Sequence, residues 1–122
     1  MEIPTQTTDQ QSQLLSWKHE VDDVRQEVRS MRDRLESISL HNSHSERMVQ
    51  VERFQNLFIR QMEVADELFH DLKQTSRRLN NALIEHHDRP VEDHDVLQER
   101  MDTFHKLYSE LKGDFNQFES HS

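Results

Sequence analysis

Between Leu14 and Ile38 the apolar residues fall at alternating steps of three and four: Leu14, Trp17, Val21, Val24, Val28, Met31, Leu35 and Ile38. An α-helix turns once in 3.6 residues, so all eight lie on one stripe of a single long helix. A stripe this narrow and this sustained is the seam of a coiled coil or of a long helical hairpin, and a second helix has to cover it. Lys18, Glu20, Asp22, Asp23, Arg25 and Glu27 occupy the positions between, as a wetted face requires.

The device recurs twice more. A second stripe runs through Val51, Phe54, Phe58, Ala65, Leu68, Leu72, Leu79 and Ala82, widened by Leu57, Met62, Phe69 and Leu83. A helix with apolar residues beyond one narrow seam touches more than one neighbour. The third stripe is Leu97, Met101, Phe104, Tyr108, Leu111, Phe115 and Phe118. Gly113 offers this helix an early stop, with Lys112 well placed at a C-terminus. Phe115 and Phe118 nevertheless keep the phase, so the helix is expected to continue past the glycine.

Two polar stretches separate the stripes. In "HNSHSE", residues 41–46, Ser43 and Glu46 have capping-box spacing. In "HHDRPVEDHD", residues 86–95, Pro90 turns its neighbour out of the helical region. The expected fold is all-α: three long helices over about 10–40, 44–86 and 93–118, an antiparallel helical hairpin with the third helix folded back into a bundle. Residues 10–119 form one domain behind a disordered segment, residues 1–9.

Composition narrows the function. One glycine excludes phosphate-cradling loops, and the absence of cysteine excludes thiol nucleophiles and thiolate metal sites. No apolar run approaches the roughly 20 residues of a bilayer span, and the first residues lack the basic and apolar regions of a signal peptide. A cytoplasmic location is expected. The formal net charge is −9, and residues 85–122 carry 10 acidic against 4 basic groups. Neither nucleic-acid nor membrane-surface binding fits such a surface, since both need basic faces.

Helix lengths carry one further expectation. Folded directly back, the first helix covers roughly residues 45–75 of the second and the third covers roughly 60–86. That leaves "FQNLFI", residues 54–59, with one flank bare. Phe54, Leu57, Phe58, Ile59, Met62 and Phe69 are therefore the expected interaction surface. Two wet aromatic side chains would forgo several kcal/mol of burial at about 25 cal/mol per Å². A second copy, a homodimer above all, or an unknown protein partner is expected to cover them.

Chemistry-bearing residues are fewer. Glu67 and His70 have the Glu-x-x-His spacing of ferritin-like di-iron sites, and Asp102 with His105 makes a partial second copy. Phase argues against them, because both pairs fall beside the seams and metal ligands in a bundle project inward. The histidines near the turns, His41 and His44, then His86, His87 and His94, lack the tight pairing of a zinc site. Carboxylate pairs such as Glu63 and Glu67 have a spacing that any charged helix produces, and no long loop frames a pocket. No enzyme activity and no cofactor are expected.

The run "VERFQNLFIRQMEVADELFHDLK", residues 51–73, resembles a segment of short, uncharacterised helical proteins of Bacteroidetes. There an "FQN-FIRQ-E--DEL-HD-K"-like string sits in a long middle helix, and the heptads of the first helix match more loosely. The resemblance implies a cytoplasmic coiled-coil architecture and a bacterial source, and it brings no activity or catalytic residues. The expected function is a non-enzymatic structural or protein-interaction module acting by helix packing and self-association. Its rivals are a carboxylate–histidine metal protein assembled across a dimer, and a small adaptor or chaperone-like module that captures a client helix.

Overall fold

The computed structural model of the chain describes residues 5–41, 45–85 and 94–121. It contains three helices, α1 (Thr5–His41), α2 (Ser45–Glu85) and α3 (His94–Ser120), packed as a helical bundle. No described helix is long and apolar enough to cross a membrane. The Ser43–Glu46 capping box and Pro90 reach into residues outside those described.

Inter-helix bonds give the directions. Gln11 on α1 bonds Ser76 on α2, and Arg25 bonds Asp66, so α1 and α2 run antiparallel. Arg100 of α3 meets Asp71 of α2 at 2.8 Å, while Phe115 and Phe118 meet Phe54, so α3 is antiparallel to α2 as well. That leaves α1 and α3 parallel, with Glu20, Glu27 and Arg34 beside His105, Lys112 and Glu119.

The core follows the three stripes. Leu14, Trp17, Val21, Val24, Val28, Met31 and Leu35 of α1 are buried, as are Val51, Phe54, Phe58, Ala65, Leu68 and Leu72 of α2. From α3 come Leu97, Met101, Phe104, Tyr108, Leu111 and Phe115. The α1–α2 pair packs closest. Its central residues, three valines and Ala65, let two backbones approach, whereas the rings of α3 hold that helix further off.

α1 opens at Thr5, ahead of the expected residue 10. Near this end of the helix the Gln11 Nε2 donates to the Ser76 carbonyl at 3.1 Å, and the Ser76 hydroxyl donates back to Gln11 Oε1 at 2.9 Å. This reciprocal pair ties a turn that carries no core residue to the flank of α2. At the other end of the bundle Arg47 donates to the Phe118 carbonyl at 3.2 Å. One of the last carbonyls of α3, which also accepts the His121 N–H at 3.3 Å, is thereby bonded from α2.

α3 corrects the expected coverage of α2. Phe54 and Phe58 are only 2% and 0% exposed, buried by this chain's own α3. Phe115 lies 5.5 Å from Phe54 and 5.2 Å from Phe58, both edge-on, and Phe118 lies 5.1 Å from Phe54. With Arg100 at Asp71, α3 starts about two turns short of the C-terminal end of α2, instead of beside its last turn. Eight residues, 86–93, separate the two helices and can span roughly 27 Å when extended. Sliding α3 along α2 to seat four rings together is therefore permitted by chain length, and it is favoured by the apolar area removed from water.

Gly113 sits within α3, and a Cβ added there would meet nothing within 4 Å. The substitution Gly113→Ala should therefore raise the unfolding free energy by about 0.5–1 kcal/mol, from helix propensity and reduced freedom of the unfolded chain. Chemical denaturation of the two proteins side by side checks this; a destabilised alanine variant would contradict the continuous helix.

Candidate functional site

The six residues expected to form one interaction surface are dispersed over the bundle. Phe54 and Phe58 belong to the core. Met62 and Phe69 are partly buried against it, and Phe69 is roofed by the Arg25 guanidinium 4.4 Å above its ring. Leu57 and Ile59 stay 37% and 46% exposed, two residues apart and hence on different flanks of α2. Ile59 lines the α1–α2 groove with Arg29, Arg32 and Glu36.

A different apolar strip takes their place. Val64, Val96, Thr103 and Leu107 line a groove along the α2–α3 seam together with Glu67 and Glu99. Leu107 is 52% exposed and Val96 43%. Leu57 continues the row one heptad from Val64. Apart from Leu57, the apolar spacing does not single these residues out, because each stands next to a core residue and off the core phase, Val64 beside Ala65 and Leu107 beside Tyr108.

The two candidate metal pairs do not converge on one site. Glu67 faces the α2–α3 groove, and His70 and Asp102 are exposed. His105 turns the other way, toward α1, with Nε2 3.4 Å from Glu20. Among the described residues no three His, Cys, Asp or Glu side chains stand together as a metal site. Of the turn histidines, His44, His86 and His87 lie outside the described residues. The His41 Nδ1 is 2.8 Å from the Ser37 carbonyl, a C-terminal cap when that nitrogen carries the proton. His94 stacks on Trp17 with ring centroids 4.8 Å apart.

The ionic side chains are arranged for register. Glu20–His105 (3.4 Å), Glu27–Lys112 (2.7 Å) and Arg34–Glu119 (2.7 Å) join α1 to α3, each 85 positions apart and each one heptad from the next. These flank positions select partner and alignment in parallel coiled coils. A slip of one heptad in one direction sets Arg34 against Lys112, and in the other sets Glu27 against Glu119. The pairs are largely exposed, so each contributes only about 0.2–1 kcal/mol to stability. Their larger effect is to penalise wrong alignments.

Two buried polar residues fill the gaps in the α2 stripe. Gln61 stands between Phe58 and Ala65, and Thr75 between Leu72 and Leu79, at the three-four steps where core residues belong. The heptad phase marks both positions; their polar identity hides them from a search for apolar residues. The Gln61 Nε2 is buried without a hydrogen-bond partner. Tyr108, the one tyrosine, has its phenol well above the ordinary range near 10, first by burial and then by the charge of the neighbouring Glu27.

Compared with protein-family models, curated proteins and solved structures, the chain matches none.

Two predictions follow from the buried polar groups. Gln61→Met keeps the volume and removes an unpaired donor, so it should stabilise the fold by about 1 kcal/mol in denaturant titration. A loss would mean that the amide has a partner that the apolar side chain cannot replace. Tyr108 has a folded-state pKa raised above its unfolded value, so its contribution is intact below about pH 10 and lost as pH rises beyond it. Absorbance at the tyrosinate band should appear together with loss of helicity on alkaline titration. Tyr108→Phe should remove the tyrosine-linked part of that alkaline sensitivity, and ionisation in a still fully helical protein would contradict the burial.

Proposed function

We propose that the chain works as a non-enzymatic helix-packing module that associates with itself. The observation that carries this reading is the α2–α3 strip: Val96 and Leu107 expose close to half their surface beside a core that has used its other large side chains of α3. Singly exposed apolar residues are ordinary, whereas apolar residues gathered along one groove mark a contact surface.

The polar residues support the same reading. Arg25, Arg34, Asp71, Arg100 and Lys112 are engaged between helices of this chain. The expected surface moves from the 54–69 cluster to the seam, and the role assigned to it stays. A Phe58→Asp change, which a surface residue would tolerate, would instead bury a charge. We place the module in the cytoplasm, since a cysteine-free chain suits a reducing compartment.

The apolar strip is small, so a weak and concentration-dependent dimer is expected, not an obligate one. Native mass spectrometry of the untagged chain over a dilution series tests this. Dimer that grows with concentration supports the reading. Monomer throughout, up to about 1 mM, would place any self-affinity below about 4 kcal/mol and end it.

A further inference from the structure

We propose that a second copy of this chain covers the α2–α3 seam, antiparallel to the first, about a two-fold axis passing beside Val64 and Leu107. The proposal deepens the self-association reading and rests on it. Its argument is the order of charges along the seam.

On α2, Arg60 and Glu67 are exposed and stand seven residues apart on one side of the helix, roughly 10 Å, with Val64 between them. On α3, Lys106 and Glu110 are exposed and bracket Leu107. The Arg100–Asp71 bridge sets α2 and α3 in a register that brings Val64 level with Leu107, since each lies seven residues from its member of the bridge in opposite chain directions. The midpoint of Arg60 and Glu67 and the midpoint of Lys106 and Glu110 therefore stand at nearly the same height along the bundle.

One two-fold axis, perpendicular to the helices at that height, satisfies both pairs. It places Arg60 opposite the partner's Glu67 and Lys106 opposite the partner's Glu110, each twice by symmetry. It also brings Leu107 and Val64 onto their own counterparts, so the apolar strip closes at the centre with charges at its rim. Arg60 is available for this exchange: its bond to Glu63 is long, 3.4 Å, and both groups are mostly exposed. The α1–α2 groove is a poorer seat, because Arg29, Arg32, Asp33 and Glu36 line it and would lose water on contact.

The experiment is a charge-exchange cycle on the full chain, read by sedimentation velocity with helicity measured alongside. Arg60→Glu should weaken dimerisation about tenfold or more, because it sets like charges together twice across the interface. Adding Glu67→Arg should restore it to within about threefold of the original, because the exchanged pair again joins opposite charges. Leu107→Asp should abolish the dimer while the monomer stays helical.

The alternative two-fold, along the helices, faces α2 with the partner's α3 and sets Arg60 near the partner's Glu110. There the restoring change is Glu110→Arg, and that result would overturn the antiparallel placement. A wild-type dimer indifferent to both Arg60→Glu and Leu107→Asp would overturn the seam as the interface while leaving self-association standing. A wild-type chain that stays monomeric would overturn both.

Discussion

Four phenylalanine rings decide where α3 lies. Phe115 and Phe118 close over Phe54 and Phe58 near the junction of α1 and α2, and Arg34, Arg47 and Arg53 lie against rings of the same cluster. Rings of this size carry a large share of the apolar area that a small bundle can remove from water. Once they are seated, the axial position of α3 is set. Trp17 then meets His94 at the far end, and Arg100 meets Asp71 in between.

Electrostatics refine this placement without supplying much of its energy. The three α1–α3 pairs are solvated and weak one by one, but their order along the helices opposes a slip in either direction. Arg25 does the same between α1 and α2, bonding Asp22 and Asp66 while its plane covers Phe69. These charged residues are occupied in holding the helices in register. That is why the two candidate pairs, Glu67 with His70 and Asp102 with His105, do not converge: Glu67 belongs to the α2–α3 flank and His105 to the α1–α3 ladder.

The same placement creates the surface on which the functional reading stands. With Phe54 and Phe58 taken into the core, the apolar residues left over are those flanking the α2–α3 contact, and they gather because both helices present flank positions to one groove. Gln61 lies buried in the α2 core stripe, one turn from Val64 and Leu57. A buried amide whose Nε2 has no partner costs stability there.

The sequence by itself determined the class of fold, the number of helices, the face each one buries and the passage of α3 through Gly113. All of these are local or periodic properties, legible in the three-four spacing of residues such as Val21, Leu68 and Phe104. The burial of Gln61 and Thr75 was not legible in this way, because their polar side chains leave gaps in the apolar stripe. Only the tertiary structure decided how far along α2 the third helix sits. A heptad pattern repeats every seven residues, so it states which face is buried and is indifferent to a shift of whole heptads along the axis. That indifference is broken by side chains distant in sequence, the rings at 54, 58, 115 and 118 and the pairs from Glu20–His105 to Arg34–Glu119, whose meeting no single helix encodes.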